Sequence, residues 1–416
     1  MNIQKFMMLC IVSVLPLVLA SCESNDEEKD EPGRTVIAMP EGTRAISETG
    51  NNFSFRLFNE FRNANPGNIV LSPFSVMTDL AMLANGDDGE SRDEILRAFK
   101  MAGSQTDMDN FNAYCKTLIS ELPEVDRKVD LNFANSIWSS SYGTSLNSDF
   151  VSVLSDVFSA EVIMKSPEGE DGRHAINSWV RKVTDGNIAE FLQRPFPEGT
   201  WTAIVDAVYF KGGWKEKFDR SKTSPGIFHN ADGSESQAEF MNQKKVFNYL
   251  PLDDMRAICL PYGKGNFNMI IVMPEDGNDI DRLAASIEDD IITRLHRGDC
   301  EYMEVDLYLP KFECRTNIAI LDIMRDKFGI RRAFDPMAGL NGVYASDKFF
   351  VSKFQHAASI VVDEEGSVAA AATVGAGECT SPGYILDVMR VDRPFIFLIT
   401  EATTNTILFI GQITNF

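Results

Sequence analysis

Apolar residues recur at helical spacing early in the chain. Phe53, Leu57, Phe58 and Phe61 mark one face of a helix. Ser72 followed by Pro73 predicts a helix start, with the serine as cap and proline at the first helical position, and Gly86 predicts its end. Ser91 and Glu94 precede Ile95, Leu96 and Phe99 at the spacing of a capping box. The later pattern changes. Residues 201–210 and 266–273 are almost wholly apolar, as strands buried on both faces would be. Met303, Val305, Leu307 and Leu309 alternate with Glu304, Asp306 and Tyr308, which predicts a half-exposed strand. Residues 317–328 return to helical period and stop at Gly329. Two apolar runs, 395–400 and 407–413, flank a polar turn and predict a C-terminal hairpin. Helices first and strands later, without regular alternation, predict an α+β architecture. No repeat or low-complexity linker interrupts residues 46–416, which read as one large domain.

The N-terminus stands apart from this pattern. Residues 6–20 form an apolar run that is short for a membrane span. It ends in Leu19, Ala20, Ser21 and Cys22, a tetrapeptide that resembles a bacterial lipobox, with Cys22 as the lipidated first mature residue. An ordinary signal peptide with a stray cysteine is the alternative. Glu23, Asp26, Glu27, Glu28, Asp30 and Glu31 follow, a run that repels itself and stays extended. The expected organisation is therefore a signal peptide over 1–21, an acidic flexible tether over 22–45 and a folded domain over 46–416. This predicts export and attachment to a bacterial outer membrane through the lipid alone, with surface exposure as the weaker part of the expectation.

Composition narrows the partners. Of 416 residues, 24% are charged and 44% hydrophobic, which suits a globular domain, and the net charge of −22 argues against nucleic acid or an anionic membrane surface. Five cysteines remain after Cys10 and Cys22: Cys115, Cys259, Cys300, Cys314 and Cys379, odd in number and widely spaced. No CxxC or Cys/His cluster points to a metal, and no metal or other cofactor is expected. There is no GxSxG, no HExxH, and only four histidines, so no catalytic constellation stands out and no enzymatic activity is expected.

Residues 360–383 carry the functional signal. Ile360, Val361 and Val362 predict a strand, and Asp363, Glu364, Glu365 and Gly366 a charged turn. The next eleven residues, 367–377, contain no charge and nothing larger than valine. Four consecutive alanines favour helix, but Gly366, Gly375 and Gly377 leave room for only about two turns, which is marginal in water. A linker would be more polar. A phosphate loop would need a third glycine at the right spacing. One remaining reading explains all these features: the segment is soluble while exposed and also fits as a strand inside a closed sheet. Ser367, Ala369, Ala371, Thr373, Gly375 and Gly377 would then line one face, all small enough to enter a packed core. Inserting about a dozen residues would add hydrogen bonds worth on the order of 10 kcal/mol.

The run from Asp363 to Thr373 resembles the hinge of the serpin reactive-centre loop. Residues 68–76, 207–215, 309–312, 328–334, 392–399 and 408–411 resemble other serpin segments, in family order, so that the likeness covers nearly all of 46–416. It implies a fold of helices and three β-sheets with an exposed reactive-centre loop. It also implies a suicide-type protease inhibitor: the loop is cut, inserts into the central sheet and traps the acyl-enzyme, as serpin loops are established to do. The implied partner is a protease, bound covalently by a monomeric inhibitor; a non-inhibitory serpin acting as a binding module is the alternative.

Carried over residue by residue, the hinge is Glu365, Gly366, Ser367, Val368, Ala369, Ala370, Ala371 and Ala372. Ser72, Ser75 and His356 correspond to the cluster through which the sheet opens. Asp206 stands there where the family has asparagine, and it would bury a carboxylate beside His356 and make opening sensitive to pH. Trp214 corresponds to the tryptophan where the loop first enters, although simple core packing would also account for it. Counting forward from Gly366 at family spacing puts the reactive bond between Thr380 and Ser381. Counting back from Pro394 puts it a few residues further on, so candidates span 379–384. No lysine or arginine lies between Gly366 and Met389, which disfavours trypsin-like targets and favours elastase-like or subtilisin-like serine proteases, with papain-like cysteine proteases as an alternative.

Overall fold

The apolar stripe around Phe53, Leu57, Phe58 and Phe61 buries one face of a 21-residue helix, α1 (Arg44–Ala64). The structure is a computed structural model and describes residues 33–87, 89–140, 146–186, 188, 190–200, 202–275, 280–344, 349–367 and 386–416. Five more helices follow in the first half: α2 (Pro73–Ala84), α3 (Glu90–Ala98), α4 (Gln105–Val125), α5 (Ser148–Phe158) and α6 (Gly169–Val183). The strands interleaved with them are β1 (Ile69–Leu71), β2 (Val129–Ser139), β3 (Glu161–Ile163) and β4 (Thr202–Gly213). Then come β5 (Ser224–His229), β6 (Glu235–Pro251), β7 (Met255–Tyr262), β8 (Phe267–Pro274), α7 (Ile280–Ser286), α8 (Asp289–Arg297), β9 (Glu301–Pro310), β10 (Phe312–Ala319) and α9 (Leu321–Asp326). The chain closes with β11 (Phe354–Asp363), β12 (Gly366–Ser367), β13 (Leu386–Arg390), β14 (Phe395–Glu401) and β15 (Ile407–Ile413).

Hydrogen bonding joins the described strands into two networks. One has nine strands, ordered β1-β15-β14-β8-β7-β6-β9-β13 with β5 on β6. The other has six, ordered β10-β11-β12-β4-β2-β3, with β11 also pairing β4. Where three sheets are expected, two of them merge because the 17-residue β6 pairs with β5, β9 and β7 along its length. Every residue of α2 is buried, which places this helix in the interior, in contact with β4 and β15.

Local expectations at three places give way to tertiary contacts. The Ser91–Glu94 capping box does not form: α3 starts after Gly89, the Ser91 hydroxyl donates to the Gly339 carbonyl, and Glu94 accepts from the backbone N–H groups of Arg331 and Arg332. A capping box forms instead at Ser104 and Asp107, at the head of α4. The helix expected over 317–328 shrinks to α9, because Asn317–Ala319 pairs with β11 as strand. Ser72 precedes α2 as expected, yet its hydroxyl caps nothing. At the N-terminus, the Thr35 backbone exchanges two hydrogen bonds with the Asn266 side chain and Ile37 is buried, so the body begins within the stretch expected to be a flexible tether.

The six-stranded sheet has a seam. β4 and β11 pair directly, in parallel, only over Ile204–Ala207 and Phe354–Ala357. At the other end β12 lies between them: Gly366 and Ser367 pair with Gly213 and Gly212 on one side and with Asp363 and Val362 on the other. Between these two regions, residues 208–211 of β4 and 358–361 of β11 carry no pairing to one another.

Candidate functional site

The hinge turn is held from several sides. Asp363 Oδ1 accepts from the Glu365 backbone N–H at 2.8 Å, closing the turn. The Trp214 ring N–H donates to the Asp363 carbonyl at 2.8 Å, its backbone N–H to the Glu365 carbonyl at 2.9 Å, and the Phe218 N–H to the Glu364 carbonyl at 3.1 Å. Glu364 is buried beneath the turn, where it accepts from Thr223 at 2.8 Å and pairs with Lys311 at 3.1 Å. Burial pushes its carboxyl up, but its backbone hydrogen bond, Thr223 and Lys311 outweigh burial and hold it below the usual glutamate range. Glu365 pairs with Lys217 at 2.6 Å and Arg220 at 3.4 Å.

Gly366 adopts φ +146°, and a Cβ there would collide with the Gly212 carbonyl and the Gly213 Cα. Only glycine lets the turn enter the sheet at this point. Ser367 is fully buried, and its hydroxyl lies 2.7 Å from the Tyr262 hydroxyl. Trp214 stacks on Tyr262 with ring centroids 4.4 Å apart at 11°. This one aromatic pair therefore grips both the turn and the first seated side chain.

The second cluster sits at the paired end of the seam. His356 and Asp206 are register partners, and Asn135 stands opposite Asp206 on β2. The Ser72 backbone N–H donates to His356 Nε2 at 3.1 Å, so that nitrogen carries no proton. His356 Nδ1 lies 3.7 Å from Asp206 Oδ2, beyond hydrogen-bonding range. The Ser75 hydroxyl donates to Asp206 Oδ2. Burial pushes the Asp206 carboxyl up, while the neighbouring His356 pulls it back.

The structure brings Ser72, Ser75, Asp206 and His356 together, and places Trp214, Glu365, Gly366 and Ser367 at the opposite end of the seam. Val368, Ala369, Ala370, Ala371, Ala372, Thr380, Ser381 and Cys22 lie outside the described residues. Among the described residues, no disulfide joins Cys115, Cys259, Cys300 or Cys314. Among the described residues no group of three His, Cys, Asp or Glu could hold a metal ion. Sequence reasoning missed Tyr262, Lys311, Thr223 and Lys217, which nothing marks before the fold assembles them. It also missed Asp79, whose signal was legible: one carboxylate in an otherwise uncharged helical run.

The six-stranded sheet is thus split at one end by the two residues of β12 and paired directly at the other. The serpin (serine protease inhibitor) family model matches residues 48–416. Alaserpin of Manduca sexta is 31% identical over 378 residues, which cover 88% of this chain and 94% of that protein. Human leukocyte elastase inhibitor is 29% identical over 383 residues, covering 88% and 98%. Among solved structures, the thermophilic serpin tengpin in its native state superposes with a TM-score of 0.80 at 25% identity, over 92% of this chain and 96% of that one. The chain belongs to the serpin family of serine protease inhibitors.

Proposed function

We propose that this chain is a single-use protease inhibitor, exported and held to a bacterial outer membrane by a lipid on Cys22. One observation carries the inhibitory reading: Gly366 and Ser367 already stand as a strand between β4 and β11. A protease cut in the chain that follows them would let it continue into the same gap. The unpaired edges of residues 208–211 and 358–361 offer the next backbone partners, and the small residues from Ala369 to Ala372 fit between them. Cleavage frees the far end of the loop. Insertion then carries the acyl-enzyme with it and leaves the protease distorted.

The target class follows from loop chemistry. The absence of lysine and arginine between Gly366 and Met389 favours elastase-like or subtilisin-like proteases cutting within 379–384, with Thr380–Ser381 as the first candidate bond. The name of the human relative, leukocyte elastase inhibitor, fits this choice. The test is incubation with pancreatic elastase and with subtilisin. The expected product is an SDS-stable complex whose mass equals protease plus the cut inhibitor. Quantitative conversion to cleaved chain, with the protease still active, overturns the reading.

A further inference from the structure

The paired end of the seam holds a second buried carboxylate that the serpin resemblance does not account for. Asp79 lies on α2 one helical turn beyond Ser75, whose hydroxyl bonds to Asp206, and it is 1% exposed. Among the described residues, both Asp79 oxygens lack a hydrogen-bond partner, as do Asp206 Oδ1, Ser72 Oγ, Asn135 Oδ1 and His356 Nδ1. Six buried polar atoms on α2, its cap and the strands at this end of the seam are therefore left without a partner. Two bare carboxylates in such a place would repel one another with little water to screen them. A proton on the pair removes that repulsion and turns one oxygen into a donor, which an orphaned acceptor can meet.

Resting on the insertion reading above, we propose that Asp79 and Asp206 together bind one proton that latches the closed seam, so that opening the sheet is coupled to its release. The proton passes to solvent when β4 and β11 separate, and the carboxylates are left charged and hydrated. The Ser72 N–H occupies the lone pair of His356 Nε2, so the ring presents Nδ1 toward Asp206. Asp206 acts on Asp79 through its charge, and Ser75, His356 and Asn135 adjoin Asp206. On α4, which also packs against α2, burial pushes the Tyr114 phenol and the Cys115 thiol up, so both stay neutral.

The sign follows from burial, the largest influence on both groups. Burial raises the Asp79 carboxyl well above 3.8, helped by Asp206, and raises Asp206 as well. A raised carboxyl stabilises the closed sheet at low pH, and that contribution fades as pH rises from 3.8 through the raised value. His296 acts in the opposite sense: burial lowers it to about 4, so it costs stability as pH falls below 6.5. Comparison with variants separates the two effects.

The experiment measures the insertion rate after cleavage by one fixed protease, and the melting temperature of uncleaved protein, from pH 4.5 to 7.5. Wild type, Asp79→Asn and Asp206→Asn are compared. The expected result is a ratio of wild-type to variant insertion rate that rises with pH across the range. The melting temperature of wild type should fall with rising pH relative to both variants. Parallel pH profiles in all three proteins overturn the latch. Asp206→Asn serves if Asp79→Asn does not fold. The melting series needs no cleavage, so it decides the latch even where cleaved protein gains no stability, the outcome that would instead sink the insertion reading.

Discussion

The hydroxyls of Tyr262 and Ser367 meet at 2.7 Å, both buried, with the Trp214 ring stacked on the tyrosine. The contact joins the end of β7, in the nine-stranded network, to Ser367 of β12, in the six-stranded one. Removing the tyrosine hydroxyl leaves that of Ser367 buried without a partner, at a cost of about 1–3 kcal/mol. Tyr262→Phe should therefore lower the melting temperature of uncleaved protein by a few degrees. Tyr262→Phe with Ser367→Ala should recover part of the loss, because neither partner is then left polar. Calorimetry of the single and double variants checks this.

Gly366 passes between Gly212 and Gly213 in a backbone region that side chains rarely adopt. Gly366→Ala should unseat β12 and lower the melting temperature of uncleaved protein. It should also shift the reaction with protease from trapped complex toward cleaved chain, as read from the two bands on a denaturing gel. An unchanged ratio would mean that the seated hinge does not govern insertion.

Ala369→Arg would add a charge on the face that the proposed insertion carries into the sheet. Leaving that charge buried and unpaired costs several kcal/mol. The variant should be cut at the wild-type rate yet form little or no covalent complex. Retained complex formation would contradict insertion along this strand.

Glu364 contributes to the closed hinge only while ionised. Its carboxyl is held low by its own backbone hydrogen bond, Thr223 and Lys311 against the opposing effect of burial. A lowered carboxyl stabilises above its unfolded value, near 4.5, and loses that contribution as pH falls through the lowered value. Lys311→Met should thus destabilise the uncleaved protein at pH 7 by about 1 kcal/mol, the partial exposure of the lysine screening the pair. The difference from wild type should vanish in acid. Urea unfolding at pH 7 and pH 3.5 measures both limits.

Much of this molecule was legible along the chain because its signals are local. Helical period in α1, continuous apolar runs in β4 and β8, and alternation in β9 each follow from the face a residue must bury. The run of small neutral residues after Gly366 is likewise a local signal, read from side-chain size and charge alone. Asp206 and His356 could be paired only through a resemblance, and the register of β4 against β11 makes that pairing physical. Tertiary structure alone decided the rest. Ser91 and Glu94 abandon a capping box for partners far along the chain, and Asn317–Ala319 yields its helical period to a neighbouring strand. Tyr262 reaches Ser367 across 105 residues. Asp79 carries an energetic cost only because α2 is buried along its whole length and Asp206 adds a second carboxylate charge. Local sequence sets which conformations a segment favours; which of its polar groups lose water, and what stands opposite them, is set only when distant segments close around them.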